Sequence, residues 1–189
     1  MIKVAVVYHS AYGHTEALAK AVQRGAARLE RIEAILIKVE DVEAHWSTLL
    51  EAAALIFGSP TYMGSVSALF KSFMDQTGKI WQQRLWKDKL AAGFTCSASL
   101  FGDKMTTLQQ LNVFAMQHGM MWLGLDALPD SQGYLDANIK LNAVGSFLGA
   151  MAFAPNDLDA EHAPDSSDLE TASYLGERVA RAALRWNNS

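Results

Sequence analysis

Short apolar runs alternate with amphipathic stretches along this chain, and the alternation restricts its fold more than any other feature. Ile2–Tyr8, Ala34–Val39, Ala54–Gly58, Leu90–Thr95 and Met120–Leu125 are rich in β-branched or small apolar residues and short enough to be strands. Between them apolar residues recur at helical spacing: Leu18, Ala21, Val22, Gly25, Ala26 and Leu29 after the first run, then Val42–Ala53 as a second helix. In a third helix Val66, Leu69, Phe70, Phe73 and Met74 form one face, with Lys71, Ser72, Asp75 and Gln76 opposite. Met105–His118 is the fourth. The last opens on Ser167-Asp168-Leu169-Glu170, a capping-box spacing, and turns Leu169, Ala172, Val179, Ala183 and Leu184 inward. Strands apolar along their whole length are buried on both faces. The expectation is therefore an α/β three-layer sandwich with a five-stranded parallel sheet of order 2-1-3-4-5, spanning residues 1–189 as a single domain. The segment from Asp126 to Ser166 has no clear period and collects Gly, Pro, Asn and Asp. It is too long for a plain connector, so it is expected to be a functional or interface loop with some local structure.

Composition removes several function classes. A net charge of −4 without a basic cluster gives no electrostatic reason for nucleic-acid binding. One cysteine, Cys96, allows neither an internal disulfide nor a multi-cysteine metal site. No apolar stretch approaches the ~18 residues of a membrane span. The first residues form a strand-like run with no signal pattern, so a soluble cytoplasmic protein is expected.

In a doubly wound sheet, ligands sit beyond the C-terminal strand ends, where strand order reverses. The loops after strands 1, 3 and 4 are the places to look. The first, His9-Ser10-Ala11-Tyr12-Gly13-His14-Thr15, offers hydroxyls, a flexible glycine and a helix N-terminus, whose free N–H groups favour an anion. It lacks Lys and Arg, which suits a monoester phosphate held by neutral donors; ordinary helix capping is the alternative. The second, Ser59-Pro60-Thr61-Tyr62-Met63-Gly64-Ser65, places an aromatic beside a thioether, either presented as a wall for a flat ring or folded onto the core. The third, Cys96-Ser97-Ala98-Ser99-Leu100-Phe101-Gly102-Asp103, begins small and polar, suited to backbone contacts with a heterocycle edge. Cys96 reads as a buried small residue. Trp81, just past Gly78, either caps a pocket or belongs to core or interface. His118 either caps the fourth helix or reaches a ligand.

Taken together, Tyr8-His-Ser-Ala-Tyr-Gly-His-Thr15, Phe57-Gly-Ser-Pro-Thr-Tyr-Met-Gly64, Phe73-Met-Asp-Gln-Thr-Gly78 with Trp81, Lys89-Leu-Ala91, His118-Gly-Met120 and Glu170-Thr-Ala-Ser-Tyr-Leu-Gly-Glu-Arg-Val179 cover the chain in order. The sequence so read resembles the WrbA-like NAD(P)H:quinone oxidoreductases of the flavodoxin-like superfamily. That resemblance implies flavin mononucleotide (FMN) as cofactor, with its phosphate on Ser10, Tyr12, Gly13, His14 and Thr15. It implies ring contacts from Pro60, Thr61, Tyr62, Met63, Gly64, Cys96, Ser97, Ala98, Ser99, Leu100, Phe101 and His118. Trp81 would line the substrate face and Tyr12 the nicotinamide nucleotide, while His118 would steady charge near the flavin or hydrogen-bond a quinone oxygen. The implied reaction passes two electrons from NADH or NADPH to a quinone. Pockets shared between subunits imply a homodimer or homotetramer. A one-electron carrier, or a binding protein that has lost FMN, are the alternatives. Two departures stand out. Leu100 and Phe101 bring bulk to a loop that is glycine-rich in the family, and the segment before Phe57 is shorter than the family's insertion, which supports tetramer contacts.

Overall fold

Ile2–Tyr8 forms strand β1, and its alternating side chains feed two separate cores. Val4, Val6 and Tyr8 face one, Ala5 and Val7 the other. The computed structural model describes residues 1–129 and 141–187. After β1 come α1 (His14–Ala27), β2 (Ile32–Lys38), a 3-10 turn (Val39–Ala44), α2 (Trp46–Glu51), β3 (Ala54–Tyr62) and β4 (Ser65–Val66). Then follow α3 (Ala68–Gln76), α4 (Gly78–Gln82), β5 (Leu90–Ser97), α5 (Lys104–Gln117), β6 (Met121–Trp122), β7 (Ala150–Phe153) and α6 (Ser166–Trp186).

The sheet runs β2-β1-β3-β5-β6, with β7 also beside β5 and β4 folded back on β3 as a hairpin. All pairs except β3–β4 are parallel. This is the expected doubly wound, flavodoxin-like order. Helices α1 and α6 cover one face, where each has a glycine at the crossing. A Cβ on Gly176 would meet the Val22 carbonyl at 1.9 Å, so the two helix backbones touch. The other face packs α3 and α5 over Phe57, Phe70, Phe73, Trp86 and Phe114. Phe57 and Phe114 meet edge-on with centroids 5.3 Å apart, as do Phe70 and Phe73 at 5.4 Å. This aromatic block fixes the helices whose neighbouring loops form the cleft described below.

Several boundaries differ from the sequence expectation. β3 continues through Ser59-Pro60 to Tyr62 instead of stopping at Gly58. β1 ends level with Gly58, and by strand parity Pro60 turns its missing N–H toward that vacated side, so no ladder bond is lost. The second helix divides into the 3-10 turn and α2. Leu69 is exposed on α3, and Val66 lies in β4. Trp81 sits inside α4, which begins at Gly78. The cap of α6 is Asp165, whose carboxylate accepts from the Asp168 N–H at 2.9 Å, and not Ser167. The fifth strand position is split. β6 pairs with Leu90 and Ala91, and β7, from inside the long 126–166 segment, pairs with Phe94 through Ser97. Residues 130–140 of that segment lie outside the described residues. No described helix is long and apolar enough to cross a membrane.

Candidate functional site

The loops after β1, β3 and β5 converge at the C-terminal end of the sheet around a cleft of about 610 Å³. Ser10, Tyr12, His14 and Thr15 line one side, Pro60 to Gly64 the second, and Cys96, Ser97, Ala98 and Ser99 the third. Gly102, Asp103, Ala154 and Asn156 complete the wall.

On the first side, Gly13 holds φ at +91° as the residue before α1. A Cβ there would come within 2.7 Å of the Ala160 Cβ, so both backbone angle and space demand glycine. Its N–H donates to Ser10 Oγ at 3.1 Å. The first N–H groups of α1 have no carbonyl a turn earlier to meet, and with the helix dipole they make a neutral anion cradle. The His14 ring is engaged elsewhere, its Nε2 at 2.9 Å from the Leu158 carbonyl, which leaves its backbone to the cradle. Thr15 Oγ1 lies 3.3 Å from Cys96 Sγ. Burial pushes the Cys96 thiol up to about 11, so it is a protonated packing group and no redox centre.

On the second side, Tyr62 and Ser65 flank a two-residue turn in which Met63 and Gly64 have φ of +50° and +72°. Two positive φ values are the pattern of a type I′ hairpin turn. Gln110 of α5 pins it, accepting from Ser65 Oγ at 2.9 Å and from the Val66 N–H at 3.2 Å. Met63 is wholly exposed, so it and the half-buried Tyr62 are presented at the rim and not folded onto the core. Thr61 is committed inward. Its Oγ1 lies 2.8 Å from both Thr95 and Thr107, a buried hydroxyl chain tying β3, β5 and α5 under the cleft floor.

The third side shows how a bulkier loop is accommodated. Leu100 and Phe101 are 63% and 92% exposed and line a neighbouring hollow of about 520 Å³ rather than the cleft. Their bulk is therefore turned out of the cleft. Gly102, at φ +52°, lets the loop close on itself, since a Cβ there would collide with Ser97 Oγ at 2.0 Å. Beneath the loop lies Lys104, 1% exposed, donating to Ser97 Oγ, Ser99 O and Leu100 O at 3.1, 2.8 and 2.9 Å. Sequence reasoning passed over Lys104, as it did Ala154 and Asn156. The signal for Lys104 was a lone cation opening a helix; Ala154 and Asn156 depend on β7, too short to recognise.

His118 and Trp81 are not brought to the cleft. They lie with Thr77 along a separate depression of about 680 Å³ between α4 and α5. His118 is the C-cap of α5 and is packed against Trp86 and Phe114, with ring centroids 4.6 and 4.9 Å away. Thr77 Oγ1 donates its hydrogen to the Met74 carbonyl at 2.7 Å, so at 2.9 Å it accepts from His118 Nε2. The imidazole is thereby the Nε2–H tautomer, with Nδ1 buried and unpartnered. Burial, and secondarily the Arg84 charge, lower its pKa to about 4.

A glycine-dependent, cation-free anion cradle beside a slot with aromatic and thioether rims fits a phosphorylated flat heterocycle such as FMN. Residues 37–134 match the family described as NADPH-dependent FMN reductase. The chain is 41% identical over 185 residues to "Flavodoxin FldP" of Pseudomonas aeruginosa (strain UCBPP-PA14), covering 96% of each. It is 30% identical over 200 residues to "NAD(P)H dehydrogenase (quinone) 3" of Rhizobium meliloti (strain 1021), covering 97% of this chain and 92% of that one. Among solved structures, a flavodoxin, WrbA-like protein from Agrobacterium tumefaciens superposes with a TM-score of 0.75 at 39% identity, over 98% of this chain and 99% of that one.

Proposed function

The chain belongs to the NADPH-dependent FMN reductase family, and on that premise we propose that it transfers two electrons from NADH or NADPH, through FMN in the Ser10–Thr15 cleft, to a quinone-type acceptor. The observation that carries the reading is the cleft itself, with the Gly13 cradle at one end and the Tyr62–Met63 rim and Ser97–Ser99 wall at the other. FMN, when bound, would supply the two-electron redox chemistry. The residues have simpler duties. Gly13 and the N–H groups of α1 hold the phosphate, and Pro60 and Thr61 set the slope of one wall. Tyr62, Met63 and Gly64 border the ring, and Cys96, Ser97, Ala98 and Ser99 border its edge. Tyr12 is largely exposed at the mouth, and its proposed role is to meet the nicotinamide nucleotide. Electron transfer through a flavin needs no side-chain nucleophile.

The expected result is a yellow protein that oxidises NADH or NADPH only when a quinone is supplied. A colourless protein whose spectrum is unchanged by added FMN overturns the reading. The 41% identity to a protein named as a flavodoxin favours a second one, a one-electron carrier. Stepwise reductive titration separates them, since a carrier accumulates the one-electron form and a two-electron enzyme does not.

Trp81, exposed and away from its own chain's cleft, is proposed to face the cleft of a second copy in a homodimer or homotetramer, with the buried His118 behind it. Supporting this, Leu69, Trp81, Val113 and Met116 expose apolar surface on α3, α4 and α5. Val113→Glu is expected to lower the mass in solution while leaving the fold intact; an already monomeric wild type removes the proposal. A cytoplasmic location, with Cys96 kept as a free thiol, belongs to the same reading.

A further inference from the structure

Lys104 is a buried cation with no carboxylate in ion-pair contact among the described residues, held instead by three oxygens of one loop. Burying an ammonium is costly unless its hydrogens are all satisfied. Here three N–H donors meet three acceptors, so Lys104 has nothing left to offer a ligand directly. Its effect must pass through the loop. In a trans peptide the C=O of one residue and the N–H of the next point in opposite directions. Two carbonyls drawn inward, those of Ser99 and Leu100, therefore turn the N–H groups of Leu100 and Phe101 outward. The Ser97 hydroxyl reinforces the same curl by donating to Ser99 O at 2.9 Å, and Gly102 gives the loop room to close. The curl that carries Leu100 and Phe101 out to the neighbouring hollow leaves Ser97, Ala98 and Ser99 as the wall of the cleft.

We propose that Lys104 is a positioning residue for the flavin: by holding Ser97 Oγ and the Ser99 carbonyl from beneath, its ammonium fixes the Ser97–Ser99 wall of the cleft in the shape that receives the edge of the FMN ring. The inference rests on the FMN reading above and deepens it. It explains how a loop without the family's run of glycines still presents bare backbone to the cofactor: a cation underneath orients the backbone that glycines would otherwise leave free.

Lys104→Met keeps the length of the stem and removes the donors. FMN titrated into the apo-protein, followed by fluorescence quenching, is expected to show a Kd raised at least about tenfold. Inorganic phosphate, competing at the untouched Ser10–Thr15 loop, is expected to bind Lys104→Met as it binds wild type, a selectivity that general loss of structure would not give. A folded Lys104→Met with wild-type FMN affinity overturns the proposal, and so does parallel loss of FMN and phosphate binding. A measurement on the wild type applies even if Lys104→Met does not fold. The backbone amide resonances of Ser97, Ala98 and Ser99 are expected to move when FMN is added; if they stay fixed while those of the Ser10–Thr15 loop move, Lys104 has no such role. Wild-type protein that binds no FMN overturns the functional reading instead, a result distinct from FMN binding with unmoved Ser97, Ala98 and Ser99.

Discussion

Met63 holds φ at +50° although its side chain touches little and is wholly exposed. A left-handed non-glycine residue costs roughly 1–2 kcal/mol, and no core packing returns it. Strain concentrated at a ligand's rim points to use of the side chain. Met63→Asn, which tolerates this backbone, is therefore expected to raise stability by about 0.5–1 kcal/mol, read as a higher Tm of the apo-protein, and to weaken FMN binding. A rise in stability with unchanged FMN affinity would remove Met63 from the site. His118 makes a different demand. Its folded pKa, about 4, lies below the ordinary 6.5. Between those values the unfolded chain takes up a proton that the folded chain refuses, so this group's contribution falls as pH drops from 6.5 toward 4 and is constant above. Its ring resonances in NMR are expected to stay those of the neutral Nε2–H form down to about pH 5; a midpoint above pH 6 would contradict the burial argument.

At the scale of elements, the junction of β7 and α6 concentrates charge under the third wall of the cleft. Asp168 is buried in the first turn of α6, accepting from the Phe153 N–H at 2.8 Å. Burial raises its pKa from 3.8 to about 6, offset in part by that N–H and by Lys104, while Asp165 adds to the rise. The folded state thus keeps a proton that the unfolded state has lost, so Asp168 lowers stability progressively as pH rises from 3.8 through 6. Asp168→Asn is expected to gain on the wild type by about 1–3 kcal/mol between pH 4 and pH 7, measured from urea midpoints; a constant difference would show that the carboxyl does not titrate in that window. This junction also marks where the sequence was hard to read. The five main strand positions and the helices α1, α3 and α6 are legible because each carries an apolar run or an apolar face, whereas α5 has little apolar period and buries Lys104 and Thr107. β7 has four residues, and its pairing with β5 depends on chain distant in sequence, so no local period announces it. Pro60 reads locally as a strand stop, and only the early end of β1 makes it acceptable. The Ser10–Thr15 loop and both rims of the cleft are visible as residue types. Lys104 is not, because its importance comes from three carbonyl and hydroxyl oxygens that the sequence does not place. The positions of His118 and Trp81 away from the cleft likewise follow from how α4 and α5 pack, which their motifs do not encode.

For the molecule as a whole, the split sheet position has an arithmetic consequence. Met121 and Trp122 sit opposite Leu90 and Ala91, and Ala150 opposite Phe94, leaving only Ala92 and Gly93 to be matched between the two strands. The Leu123 N–H already bonds the Ala91 carbonyl at 2.7 Å, and a Cβ on Gly149 would fall 2.2 Å from the Gly93 carbonyl. Joining Leu123 directly to Gly149 would therefore continue one strand in phase, without shifting a side chain to the wrong face. No described residue from 124 to 148 lines the cleft. A chain lacking residues 124–148 is expected to fold and to retain FMN, with a circular dichroism spectrum no poorer in strand; failure to fold would mean that the excursion supports the edge it leaves. Seen this way the excursion is a parenthesis in the chain, opened and closed at one point of the sheet, where sequence can be added or withdrawn during evolution without rewriting the fold around it.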